Sequence, residues 1–114
     1  MKIQTAKLTV CQINYLVAGL EEQAIWWNAD EEVYEYRDRE EDGDRTWSPA
    51  TDWALGGPII EREKIHVGPY GAADLWIAGN AKAADLGPTP LIAAARCFVA
   101  SRLGDEVEIP EDIL

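Results

Sequence analysis

Hydrophobic residues follow a helical period in two segments of this chain. From about Val10 to Leu20, apolar residues recur every three or four positions, and Thr9 with Gln12 has the spacing of a capping box. In the second segment, Thr89-Pro90 has the form of an N-cap followed by proline, and apolar positions continue to about Leu103 before Gly104. The pattern predicts two main helices.

Shorter runs rich in branched and aromatic residues are typical of β-strands. They are Lys2 to Lys7, Ala24 to Trp27, Val33 to Arg37, Ile59 to Ile65 and Leu75 to Ala78. The second and third runs flank Asn28-Ala29-Asp30 and predict a hairpin, followed by a solvated loop from Arg37 to Arg45. Ser48-Pro49 predicts one helical turn that ends at Gly56-Gly57. A turn is expected at Gly68-Pro69-Tyr70-Gly71, and an edge strand in residues 105 to 114.

These elements predict an α+β fold, in which a small antiparallel sheet packs with two main helices. A chain of 114 residues supports one hydrophobic core, so we expect a single domain over residues 1–114. Residues 29–44 have few apolar members beyond Val33, Tyr34 and Tyr36. We therefore expect this acidic excursion to contribute little to the core.

The charges are distributed unevenly along a chain of net charge −11. Residues 21 to 44 hold eleven acids against two arginines, a net charge of −9, whereas residues 45 to 103 carry a net charge of +1. Duplex DNA and anionic membranes would be repelled by the whole molecule, because backbone binding needs clustered Lys or Arg. A small anion held near residues 45 to 103 remains compatible with this distribution.

No apolar run approaches the length of a transmembrane helix, and no signal peptide pattern is present. We therefore expect a cytoplasmic location in the cell and no membrane partner. Cys11 and Cys97 each lie in an apolar helical pattern, which predicts buried thiols. His66 is the only histidine, so the sequence favours no metal site and no cofactor.

Two motifs carry a resemblance to a known family. They are Thr-Asp-Trp-Ala-Leu-Gly-Gly-Pro-Ile-Ile-Glu-Arg-Glu at 51 to 63 and Gly-Pro-Thr-Pro-Leu-Ile-Ala-Ala at 87 to 94. Together with Trp76-Ile-Ala78 and Gly104-Asp-Glu-Val107, they resemble the phage NinX-type family of small accessory proteins, whose domain has no assigned activity. The resemblance implies a phage or prophage origin and a bacterial host. It assigns no role to any residue.

The chemistry of the motifs favours a ligand pocket. We expect the 51 to 63 and 87 to 89 segments to converge on one pocket that binds a small anionic or nucleotide-like ligand. The protein would bind this ligand without catalysis and would thereby sequester a host defence signal. Trp53 would stack a base, Arg62 or Arg96 would hold phosphate, and Trp76 would add an aromatic face. Thr51, Asp52 and Thr89 would fix polar edges, with free amide groups at the start of the last helix nearby.

Two alternatives remain open. The acidic hairpin could dock on a basic host protein by imitating the charge of DNA, which would make the protein an inhibitor. A small hydrolase would instead use Asp52, Glu61 and Glu63, but no nucleophile and base pattern accompanies them, so the sequence favours no catalytic residue. On the expected strand, Glu61 and Glu63 would share a face and Arg62 would point away. The sequence also leaves a homo-oligomer open.

Overall fold

A central helix, α3, organises the hydrophobic core. The computed structural model describes residues 1–39, 41–71 and 74–113, and α3 spans Pro90–Leu103. Thr89 caps it by accepting a hydrogen bond from the Ile92 amide at 3.1 Å, and Gly104 ends it with a φ of 92°. Nine of its residues are buried, from Leu91 to Ala95 and from Cys97 to Ala100. The predicted helix is confirmed, and it is enclosed by the other elements.

Two further helices flank α3. The first, α1, spans Val10–Leu20 and begins with the capping box predicted from Thr9 and Gln12, so this prediction is also confirmed. Its buried face, which includes Ile13 and Val17, packs against α3. The second, α2, spans Trp53–Glu63 and also packs against α3.

Helix α2 corrects the prediction of a strand at Ile59 to Ile65. The glycine pair and Pro58 were expected to end a single turn, but the helix continues through them. Its start is stabilised by the Asp52 carboxylate, which accepts from the Ala54 amide at 2.9 Å. Gly56 and Ile59 are buried, so packing outweighs the poor helix propensity of glycine and proline. Lys64 ends the helix in the left-handed region, at a φ of 52°.

In the residues that the structure describes, three small antiparallel sheets complete the fold, where the sequence predicted one. Their strands are β1 (Lys2–Gln4), β2 (Trp26–Asn28), β3 (Val33–Tyr36), β4 (Arg45–Thr46), β5 (His66–Tyr70), β6 (Leu75–Gly79), β7 (Ala84–Gly87) and β8 (Glu106–Glu108). The sheet orders are β1-β8, β2-β3-β4 and β5-β6-β7. Short 3-10 turns lie at Thr5–Lys7 and Glu111–Ile113. The α+β class is confirmed.

Several strand boundaries differ from the prediction. The first strand stops at Gln4 and gives way to the Thr5–Lys7 turn, and β7 was not predicted. The expected turn at Gly68 to Gly71 is wrong, because β5 continues through Tyr70. Gly71, with a φ of 67°, begins the connection to β6. The edge strand of the tail is confirmed as β8, which pairs with β1.

The β2-β3-β4 sheet contributes more to the core than its acidic sequence suggested. Tyr34 and Tyr36 are buried, with 8% and 6% of their surfaces exposed, and Tyr36 packs edge-on against the buried Trp47 at 5.3 Å between ring centroids. β4 also lies at the end of the segment predicted to be a solvated loop. The expectation that residues 29–44 add little to the core is therefore wrong.

The thiols occupy different environments. Cys97 is buried, as predicted, and burial raises the pKa of its thiol. Cys11 is exposed on α1, which contradicts the prediction. Within the described ranges, no helix has the length and apolar character needed to cross a membrane.

Candidate functional site

Helices α2 and α3 lie side by side and run in the same direction. Near their starts, Gly56 is so close to Leu91 that a methyl group on Gly56 would lie 2.5 Å from Leu91 Cδ1. Near their ends, Arg102 Nη2 donates to Glu63 Oε1 at 2.8 Å. The predicted binding residues on these helices are consequently divided between two ends.

Thr51, Asp52, Trp53 and Thr89 belong to the amino-terminal end. Thr51 shares a hydrogen bond with the Ser48 hydroxyl, while the side chains of Asp52 and Thr89 cap their own helices. Trp53 is 56% exposed and is free to contact a partner from solvent. The space between α2 and α3 is a void of about 10 Å³ with an apolar lining, which is too small for a ligand.

Arg96 connects three segments of the fold through hydrogen bonds to the backbone. Its guanidinium donates to the carbonyl oxygens of Leu86 at 2.9 Å and Leu8 at 3.0 Å, which joins α3 to β7 and to the segment before α1. Trp76 lies on β6 opposite Gly87, half-buried against the core. The structure therefore does not bring the seven predicted residues into one pocket.

Arg62 lies at the carboxyl-terminal end of α2, in a cluster of ion pairs. Its guanidinium donates to both carboxylate oxygens of Glu21, at 2.9 and 3.1 Å, and to Glu63 at 3.0 Å. Hydrogen bonds from Arg102 and Arg62 hold the pKa of Glu63 below its usual range, and the carboxylates of Glu21 and Glu63 raise the pKa of Arg62. Arg62 and Arg102 also lie over the Phe98 ring, at 5.7 and 5.3 Å from its centroid.

The proposed carboxylate set is dispersed. Asp52 caps the start of α2, whereas Glu61 and Glu63 lie in its last turn, roughly 13 and 16 Å further along the axis. On a helix, Glu61 and Glu63 do not share a face as they would on the expected strand. Across the described part of the chain, no three His, Cys, Asp or Glu side chains come together in a metal-binding arrangement.

A polar cleft of about 430 Å³ opens beside the ion-pair cluster. Its lining includes Arg62, Lys64, His66 and Lys82 as cationic or titratable groups, and one carboxylate, Glu63. Asn80 and Ser101 add an amide and a hydroxyl. The permanent charges of these lining residues give a formal total of +2, in a chain whose total is −11.

Local backbone structure places the three basic residues that the predicted site lacks. The left-handed conformation of Lys64 ends α2 and leads into β5, where His66 is the first residue. Lys82 lies in the turn between β6 and β7, and the Asn80 side chain fixes that turn by accepting from the Lys82 and Ala83 amides at 2.9 and 3.0 Å. The cleft is thus formed where a helix end meets a sheet turn.

An adjoining groove of about 540 Å³ shares His66, Asn80 and Ala81 with the cleft. It extends over Gly68, Ile77 and Gly79. Ala78 faces the core, so the alternation of the pleat places Ile77 and Gly79 on the opposite face of the sheet, away from α3. The cationic cleft therefore continues onto a flat apolar surface.

Sequence reasoning missed Lys64, His66 and Lys82 because it treated the stretch after Ile59 as a strand and His66 as an isolated surface residue. His66 is indeed exposed. The available signal was the charge distribution, since residues 45 to 103 carry a net charge of +1 in a chain whose total is −11. That signal indicated the region but not the face.

The fold and the cleft define a small α+β protein with a cationic concavity in an acidic chain. A family model described as Bacteriophage P22, NinX matches residues 4–102. The chain belongs to this phage NinX family, as the sequence motifs indicated. No curated protein matches it.

Proposed function

We propose that this phage protein binds a small phosphate-bearing ligand, of the nucleotide class, in the cleft between α2 and the β6-β7 turn. The observation that carries the proposal is the placement of Lys64 and Lys82, beside the ion-paired Arg62, around one concave site in a chain of net charge −11. A cleft lined by cations raises the local concentration of an anionic ligand.

The electrostatic balance of the cleft favours an anion. The carboxyl ends of α2 and α3 both lie here and contribute partial negative charge, about −0.5 each. Arg62 and Arg102 are paired with Glu21 and Glu63, so these four side chains sum to zero. Lys64 and Lys82 then leave a formal charge of +2, which exceeds the contribution of the helix ends. Glu63 accepts hydrogen bonds from Arg62 and Arg102, so its negative charge is compensated locally. At physiological salt, the Debye length of about 8 Å damps the field of the acids elsewhere.

The adjoining groove supports a ligand with a flat apolar part. Gly68 leaves space beside Ile77. Apart from the residues next to it in the sequence, no described residue has an atom within 4 Å of a methyl group placed on Gly68. A base could lie on this surface while its phosphate reaches Lys64 and Lys82. Inorganic phosphate would use only the cationic half of the site.

Binding without turnover is part of the proposal. The Ser101 hydroxyl donates to the Phe98 carbonyl oxygen at 2.8 Å, so its proton is engaged by the backbone and not by a side-chain base. The cleft offers donors and charge, which are binding groups. In an infected cell, a phage protein that holds a nucleotide signal without converting it would lower the free concentration of that signal.

The test is calorimetric titration of the protein with adenine and guanine mono-, di- and cyclic nucleotides, after a thermal-shift screen of the same set. The double variant Lys64→Gln/Lys82→Gln should weaken nucleotide binding by about ten- to a hundredfold for each charge-assisted hydrogen bond that it removes. The matched control, Lys2→Gln with Lys7→Gln, makes the same change in net charge outside the cleft and should bind like the wild type.

Three results would overturn the proposal. They are the absence of binding below millimolar concentration, equal weakening by the two variant pairs, and recovery of a chemically altered nucleotide. Either of the first two results would show that the cleft is not a nucleotide-binding site. The third would show that the protein is an enzyme and does not merely bind its ligand.

A further inference from the structure

A second surface of the molecule combines exposed aromatic rings with acidic side chains. Trp26 and Trp27 form two of the three residues of β2, and they remain 39% and 48% exposed. In the described part of the chain, β2 pairs only with β3, so its outer edge is unpartnered. Successive strand residues point to opposite faces, so one tryptophan borders each face of this sheet.

On the inner face, Trp27 borders an apolar pocket. The ring packs edge-on against Tyr34, with 5.0 Å between centroids. Cys11, Asp112 and Ile113 complete a pocket of about 380 Å³. This pocket has the size for a single aliphatic or aromatic side chain from another molecule.

On the outer face, Trp26 already receives a cation from within the chain. The Arg37 guanidinium lies 5.8 Å from the centre of the Trp26 ring, and the indole Nε1 donates to Glu35 at 3.3 Å. The contact shows the chemistry that this ring accepts. With 39% of its surface exposed, Trp26 retains room for a second cationic group.

The charge around these rings selects the partner. Asp30, Glu31 and Glu32 form the exposed turn next to β2, and the Asn28 side chain fixes that turn by accepting from the Asp30 and Glu31 amides at 3.0 and 3.1 Å. The segment from 21 to 44 carries a net charge of −9. An acidic or neutral apolar partner would gain less from this surface than a basic one.

We propose that β2 and its acidic turn are a docking surface for an extended, Lys- and Arg-bearing segment of a partner protein. One basic side chain of that segment stacks on Trp26, and a neighbouring apolar side chain fills the pocket beside Trp27. Extended segments present alternate side chains to the two faces of an edge strand, which matches this arrangement. The surface is separate from the cationic cleft and does not depend on its ligand.

The probe is a short, fluorescein-labelled peptide of alternating arginine and leucine, measured by fluorescence anisotropy at about 0.15 M salt, where distant charges are screened. Trp26→Ala should weaken binding by about two- to thirtyfold, the range of a cation–π contact. Trp53→Ala is the matched control, because Trp53 is also exposed, at 56%, but lies at the start of α2. It should bind like the wild type.

A second variant keeps the ring and changes only the charge. Glu31→Gln with Glu32→Gln should weaken the peptide complex, whereas Glu61→Gln with Asp105→Asn, which removes the same charge elsewhere, should not. Equal effects of the two charge variants, or unchanged binding by Trp26→Ala, would show nonspecific attraction to an acidic protein and overturn the proposal. Absence of binding by the folded wild type would also overturn it.

Discussion

Arg102 of α3 and Glu63 of α2 are joined by a hydrogen-bonded ion pair with an N–O distance of 2.8 Å. The pair fixes the carboxyl ends of two helices side by side, next to the cationic cleft. Because Glu63 also accepts from Arg62, one carboxylate holds two arginines in place.

This arrangement predicts a pH-dependent contribution to stability. Glu63 has a pKa below its usual value in the folded protein, so its contribution is present above the unfolded pKa and is lost as the pH falls through the folded pKa. Glu63→Gln should lower the free energy of unfolding by about 0.5 to 1.5 kcal/mol at neutral pH. Urea denaturation from neutral to acidic pH should show this difference shrinking below about pH 4, near the ordinary pKa of glutamate. Glu61→Gln is the control, and a difference that does not change with pH would contradict the role given to Glu63.

Gly56 and Gly57 form a matched pair with different expected effects. Gly56→Ala would place a methyl group against Leu91 and the Pro49 carbonyl, and should destabilise the protein by about 1 to 3 kcal/mol. At Gly57 no such contact exists within 4 Å, and the gain in helix propensity is offset by the constraint on a residue before proline. Its alanine variant should change stability by less than about 1 kcal/mol. Similar urea midpoints for the two variants would contradict the close approach of α2 to α3.

Arg96 should behave as a structural residue. Arg96→Met removes the donor from the Leu8 and Leu86 carbonyl oxygens, and should lower the free energy of unfolding by about 2 to 4 kcal/mol. Lys82→Met, which replaces an exposed cation in the cleft, should have little effect on stability. A stable Arg96→Met protein without nucleotide affinity would instead restore the phosphate-binding role expected from the sequence.

Deletion of residues 29–44 should abolish cooperative folding. It removes β3 and the buried Tyr34 and Tyr36, and truncation of a buried aromatic alone costs about 3 to 5 kcal/mol. Replacement of residues 38–43 by Asn-Gly keeps β3 and β4 and should preserve a cooperative thermal transition. Circular dichroism melts compare the two, and a cooperative transition in the longer deletion would contradict the assignment of these tyrosines to the core.

The helices α1 and α3 were predictable because their capping residues and apolar periods agree. The α2 segment was not, since Gly56, Gly57 and Pro58 are local signals for a chain turn. A tertiary contact favours the helix instead. Because Gly56 has no side chain, the Leu91 side chain and the Pro49 carbonyl group can pack directly against the α2 backbone. A single sequence does not display that contact.

The candidate site was predictable in part for the same reason. The sequence indicated Arg62 and showed that residues 45 to 103 carry no excess of acidic residues. Arg62 lines the cleft, and all residues of the cleft lie within that segment. The sequence predicts a strand from Ile59 to Ile65, and that prediction excludes a helix end at Lys64. It therefore gives no indication that Lys64 and Lys82 line the same cleft. The sequence also did not show that Tyr34 and Tyr36 are buried in the core, because acidic residues such as Glu31 and Glu32, which are exposed, precede them in the chain.

The most direct test of the ligand site is a titration of the ¹⁵N-labelled protein with ADP, followed by its backbone amide resonances. We expect saturable shifts at Lys64, His66 and Lys82, with the Trp53 and Thr89 amides unchanged. Saturable shifts centred on Trp53 and Thr89 would place the ligand at the opposite ends of α2 and α3 and contradict the proposed site, as would the absence of any saturable shift.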